Sequence, residues 1–194
     1  MKESITSRIN NLRTYMKAHG LAAYIFPSTD PHHSEYPPEY WKTREWISGF
    51  NGSAGTAVVT SDDAALWTDS RYFIAAEEQL KDTPFRLMKE RLEGTPSVTQ
   101  WLAEVLPGSA VGMDAWTNSA DEIRTVREEL THCGLHLEIA DQPADTLWKN
   151  RPALPDSSVR IQPPAFAGRS ITEKLALIRE AMAGRQADGL ILSA

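Results

Sequence analysis

The chain has 194 residues, 41% of them hydrophobic, enough for one full domain with a buried core plus a remainder. Its 20 Lys and Arg stand against 26 Asp and Glu, a net charge of −6, which excludes the basic face that displaces counterions from nucleic-acid phosphates. The single cysteine, Cys133, cannot form an internal disulfide or a zinc cluster, and no apolar run approaches the roughly 20 residues of a membrane span.

The N-terminus "MKESITSRI" lacks the apolar stretch of an export signal, so the expected setting is the cytoplasm. Ile5, Ile9, Leu12 and Met16 form an apolar stripe at helical spacing, with Ser4 as N-cap, and the helix feeds a strand over Ala23 to Phe26. The proline-rich and aromatic stretch "PSTDPHHSEYPPEYWKTREWISGF" reads as a structured loop with a short helix near Trp41 to Ile47. "GTAVVT" and "AALWT" flank the acidic turn "SDD" and predict a hairpin. "DSRYFIAAEEQLK" follows as a helix capped by Asp69, then "PFRLMKE" as a strand. From Ser97 helices and strands alternate: a helix to Leu106, the strand "AVGMD", a helix from Ser119 to His132 and the strand "LHLEIA". That order predicts an α/β fold, a mixed sheet flanked by helices.

Pro152, Pro155, Pro163 and Pro164 mark an extended linker between Arg151 and Arg169. Beyond it, "ITEKLALIREAMAGRQADGLILSA" aligns without a gap with "ITSRINNLRTYMKAHGLAAYIFPS" near the N-terminus. Ile171, Leu175, Ile178 and Met182 repeat the stripe, Ser170 and Glu173 form a capping box, and Gly189 to Leu192 reads as the matching strand. The expected organisation is therefore one α/β domain over residues 1–160 and, over 161–194, a linker and the first helix and strand of a second, related domain. A helix and strand alone cannot bury their apolar faces, so the chain is expected to stop inside that second domain.

No HExxH helix, GxSxG elbow or GxxxxGK[ST] phosphate loop is present. The glycines of "GFNGSAGT" precede a strand rather than a helix, so a tight turn at positive φ is favoured over an anion cradle. Adjacent His32 and His33 point apart in an extended loop and cannot easily share a metal. His32, Asp30 and Glu35 are expected to build a hydrogen-bonded corner over Tyr36, more structural than catalytic. Asp62, Asp63 and Asp69 occupy turn and cap contexts, and Cys133 ends a helix as a part-buried thiol. Arg71, at a strand-to-helix junction, has two readings: a fork onto a substrate carbonyl or carboxylate, or an ion pair with Asp69, the second favoured by the residues alone.

"PSTDPHHSEY", "REWISGFNGSAGTAVVT" and "LWTDSRYF", in that order and spacing, resemble the N-terminal creatinase/prolidase-like domain of long, three-domain Xaa-Pro aminopeptidases (aminopeptidase P). The likeness continues more thinly through "GTPSVTQWLAEVLPGSAVGMD" and "DTLWKNRPALP". It implies two related α/β domains followed by a pita-bread catalytic domain, consistent with the repeat. It also implies removal of the residue before a proline at the second position of a peptide, by two metal ions, usually manganese, that activate a water. The family's metal ligands, two Asp, two Glu and a His, lie in the C-terminal domain, so this stretch is expected to hold no cofactor and to be inactive alone. Carried over from the family's "TDGRY" motif, Arg71 is implied to lie against substrate, with His32 a second candidate contact. Ser70 stands where the family has glycine; if that position needs positive φ, serine strains the turn and re-aims Arg71. The resemblance further implies a homodimer. The alternatives it leaves are a peptidase-like binding module of the histone-chaperone type, or the N-domain of a prolidase or creatinase.

Overall fold

The computed structural model describes residues 3–106 and 108–192. The chain divides into two compact units, Met1–Pro155 and Asp156–Ala194.

The first unit begins with α1 (Ile5–Ala18), whose Ser4 N-cap accepts from the Ser7 amide at 3.1 Å, and β1 (Ala23–Phe26). A 3₁₀ turn (Glu39–Trp41) and α2 (Thr43–Ser48) replace the single short helix expected at 41–47. The hairpin β2 (Thr56–Thr60) and β3 (Ala64–Thr68) and the strand β4 (Arg86–Lys89) follow as the sequence predicts, and between them α3 (Phe73–Leu80) starts later than a cap at Asp69 would place it. Then come α4 (Val98–Val105), β5 (Ala110–Met113), α5 (Ala120–His132), β6 (His136–Ile139) and the short α6 (Ala144–Leu147).

The six strands form one mixed sheet in the order β4-β3-β2-β1-β5-β6. β2 runs antiparallel to β1 and β3, and the remaining pairs are parallel. Central strands buried on both faces explain the near-continuous apolar runs "AYIF" and "TAVVT". Successive side chains alternate between faces. Tyr24 and Phe26 pack with Ile9, Leu12 and Met16 of α1 and with Ile47 of α2, a face also covered by α3 and α6. Ala23 and Ile25 face the other way, with Trp101 and Leu102 of α4 and Leu130 of α5.

This topology aims the carboxyl ends of five strands at one edge of the sheet. The loop after β1 (Asp30), the turn after β3 (Asp69 to Arg71) and the loop after β5 (Asp114) all emerge there, the edge where open α/β sheets bind ligands. Two buried aspartates build those loops. Asp114 accepts from the amides of Trp116 and Thr117, the Thr117 hydroxyl and Gln142, and its own carbonyl takes the Asn118 side chain. Ser119 then caps α5 in a reciprocal capping box with Glu122. Ser119→Ala removes that acceptor and should cost about 1 kcal/mol, measured as a fall of about 2–4 °C in the melting temperature of a domain of this size.

The second unit holds α7 (Pro164–Ala167) and α8 (Ile171–Gly184). The linker read as extended thus contains a helical turn, because Pro164 sits in its first turn, where the missing amide costs nothing. α8 carries the predicted Ser170–Glu173 capping box. The strand expected at Gly189 to Leu192 is not formed: these residues have no ladder among the described residues, and an extended segment without a neighbour strand has no hydrogen-bond partners to fix it.

Candidate functional site

Arg71 stands on the turn after β3. Its Nε donates to Asp69 Oδ1 at 2.9 Å, its Nη2 to Asp69 Oδ2 at 2.7 Å, and its backbone amide to Asp69 Oδ1 at 3.0 Å. The guanidinium also lies 5.3 Å from the Tyr72 ring centroid, and the side chain remains 65% exposed. Asp69 is therefore no helix cap. Tyr72 occupies that position without a side-chain capping bond, and the Asp69 carboxylate goes to Arg71. The ion pair favoured by the residues alone is formed, and it presents the guanidinium in a fixed, solvent-facing pose. Ser70 is not among the residues at positive φ, so serine replaces glycine there without backbone strain.

Hydrogen bonding to Arg71 holds the Asp69 carboxyl below the usual carboxylate range, and the same contact raises the guanidinium. With the folded value depressed, the pair is intact above the ordinary aspartate range and opens only as pH falls through the lower value. A carboxyl NMR titration of Asp69 should have its midpoint below the ordinary 3.8, and Arg71→Ala should move it back up. A wild-type midpoint at or above 3.8 would contradict the pairing.

The expected corner around His32 is not formed. The Asp30 carboxylate is buried and accepts backbone amides, from His32 at 2.9 Å and Ser34 at 3.0 Å, instead of the imidazole. Burial pushes this carboxyl up, but the Ser34 and His32 hydrogen bonds outweigh it and leave it below the usual range. The turn places His33 in the left-handed region at φ 55°, exposes both imidazoles and leaves Tyr36 76% exposed rather than packed beneath. His33 Nε2 lies 3.6 Å from Glu122 Oε2. Cys133 is part-buried at the end of α5, as expected.

The glycine stretch packs against aromatics. Gly49 ends α2 at φ 81°, while a Cβ on Gly52 would lie 2.8 Å from the Tyr72 ring, so the loop backbone rests on that ring. Arg44 pins the loop from below: its guanidinium is buried and donates to the carbonyls of Phe50, at 3.1 Å, and Gly52. Burial pushes it down to about 10. Sequence reasoning missed Arg44, because an arginine in "KTREW" carries no local sign that it folds inward.

Between this loop, the loop after β1 and the start of α2 lies a cavity of about 140 Å³. Pro27, Pro37, Tyr36 and Trp41 give it apolar walls, and Ser28 and Ser53 contribute hydroxyls. Ser53 Oγ is 2.7 Å from the Tyr72 hydroxyl, so the cavity rim continues into the surface under Arg71. Among the described residues no three His, Cys, Asp or Glu side chains converge as a metal-binding group, and no helix is long and apolar enough to cross a membrane.

Residues 8–147 match the creatinase/prolidase N-terminal domain family. The chain belongs to that family. It is 41% identical over 179 residues to aminopeptidase P2 of Arabidopsis thaliana, covering 90% of this chain and 25% of the relative. It is 39% identical over 191 residues to the "Probable Xaa-Pro aminopeptidase P" of Penicillium rubens, covering 97% of this chain and 31% of that protein. The crystal structure of X-prolyl aminopeptidase from Caenorhabditis elegans, a cytosolic enzyme with a di-nuclear active site, superposes with a TM-score of 0.83 at 30% identity. That match covers 96% of this chain and 32% of the C. elegans chain. The chain of this creatinase/prolidase-family protein thus spans less than a third of the length of the curated relatives it matches.

Proposed function

We propose that this chain is the substrate-positioning, non-catalytic N-terminal part of an Xaa-Pro aminopeptidase acting on peptides with proline at the second position. The observation that carries the reading is Arg71, held by Asp69 but exposed, at the sheet edge formed by strand carboxyl ends, in a chain aligned along nearly its whole length with aminopeptidases P. A guanidinium forked on one side by a carboxylate keeps donors for a second acceptor, such as a peptide carbonyl or carboxylate. His32, exposed on the loop after β1 at the same edge, is the second contact in this reading.

The two divalent metal ions, manganese in the first instance, belong in this reading to parts of the protein outside this chain. The di-nuclear active site of the C. elegans enzyme supports a two-metal centre in the full-length protein. Residues from about 161 begin a second, related domain: α1 and α8 share their length, a serine N-cap and the same apolar stripe. The stripe on α8 is left largely open, with Ile171 and Leu175 exposed. A cytoplasmic homodimer, with this domain contributing to subunit contacts, completes the proposal.

The test is an assay of Ala-Pro-Ala hydrolysis with manganese supplied. The full-length protein should release alanine, and residues 1–194 alone should not. Turnover by residues 1–194 contradicts the division of labour, and an inert full-length protein favours the binding-module alternative.

A further inference from the structure

The cavity beside Arg71 is a site in its own right. Its volume of about 140 Å³ is close to that of the roughly 150 Å³ cavity that accommodates benzene in an engineered protein, so it has room for one ring-sized group. Its apolar surface comes from two prolines and two aromatic side chains, the kind of wall on which proline and aromatic rings dock.

Of the charged groups that line it, Lys42 is paired with Glu39, while Glu35 and Glu45 form no ion pair among the described residues. Arg44 is committed to the carbonyls of Phe50 and Gly52. The two unpaired carboxylates disfavour an acidic occupant, and the apolar walls favour a ring that carries no charge. Tyr72 links Arg71 to the cavity: its ring centroid lies 5.3 Å from the guanidinium, and its hydroxyl is 2.7 Å from that of Ser53, which lines the cavity. That link puts the cavity within reach of a peptide held by Arg71.

We infer that this cavity is a specificity subsite that takes one apolar ring, a phenylalanine side chain, of the peptide engaged by Arg71, beyond the proline at its second position. The inference rests on the reading of this chain as the substrate-positioning part of a peptidase. Tyr36 is the wall residue to test: it lines the cavity, is 76% exposed, and has no packing role whose loss would unfold the domain.

The experiment uses the full-length, manganese-loaded protein and the peptide Ala-Pro-Gly-Gly-Gly, with phenylalanine placed in turn at each of the three glycine positions. At one position phenylalanine should raise kcat/KM about tenfold through a lower KM. Tyr36→Ala should erase that gain and Tyr36→Phe should keep it, while Arg71→Ala lowers kcat/KM for all four peptides. Equal rates for the four peptides, or a preference that survives Tyr36→Ala, overturn the subsite while hydrolysis itself and the Arg71 effect leave the functional reading standing. Absence of hydrolysis of every peptide overturns both.

Discussion

Arg44→Met is expected to lower the stability of the first unit by about 3 kcal/mol, because it strips the donors from the carbonyls of two buried residues, each orphan costing roughly 1–3 kcal/mol. Two effects oppose each other. Removing a buried cation relieves a desolvation penalty, visible in the guanidinium being pushed down to about 10. Against that, the carbonyls of Phe50 and Gly52 lose their donor, and the stacking of the guanidinium 4.9 Å from the Phe50 ring centroid is lost with it. Methionine fills the volume but donates nothing, so the second effect wins. The loop over residues 50–52 is then released from Tyr72, and the cavity rim at Ser53 moves with it. Thermal unfolding should show a drop of about 6–12 °C. Arg44→Lys should fall between the two, since one ammonium cannot reproduce the fork to both carbonyls. A melting temperature unchanged by Arg44→Met would show that the loop stands without its pin.

What could be read in the sequence, and what could not, divides by the range of the interaction. The strands Ala23–Phe26, Thr56–Thr60 and Ala64–Thr68 were legible because apolar runs and the "SDD" turn are local signals. The caps at Ser4 and Ser170 were legible for the same reason: donor and acceptor lie within three residues. The pair of Arg71 with Asp69 was equally local. Arg151 was not. Its guanidinium stacks 3.6 Å from the Tyr40 ring centroid and donates to the Tyr40 carbonyl at 2.9 Å, joining residues more than a hundred positions apart. Nor was the Asp114 network, whose Gln142 partner comes from beyond β6. His32 misled for a different reason. Its neighbour Asp30 offered a carboxylate to the imidazole on paper, but the turn needed that carboxylate for its own amides, and backbone donors buried at a strand end have first claim on an acceptor. The cavity was invisible in the sequence although its walls all come from the connection between β1 and β2, because they meet only when that connection folds back on itself.

Arg71→Ala carries the largest expected functional effect. The arginine contributes little to folding, since its side chain is exposed and an ion pair open to water on one side is weak. Its removal should therefore leave the melting temperature nearly unchanged while weakening the grip on the peptide. A charge-assisted hydrogen bond is worth about 1.5–3 kcal/mol, which corresponds to a loss of roughly 10- to 150-fold in kcat/KM. Arg71→Lys keeps the charge but cannot hold Asp69 and a peptide oxygen in one planar fork, so it should recover only part of the loss. The metal ions, proposed to be held elsewhere, should be unaffected.

The decisive measurement is kcat/KM for Ala-Pro-Ala in full-length wild type and Arg71→Ala, with bound manganese quantified in the same samples. A fall of at least tenfold at unchanged metal content is the predicted result. Identical kinetics, or a loss that merely tracks lost metal, would contradict the assignment of this domain as the part that holds the peptide.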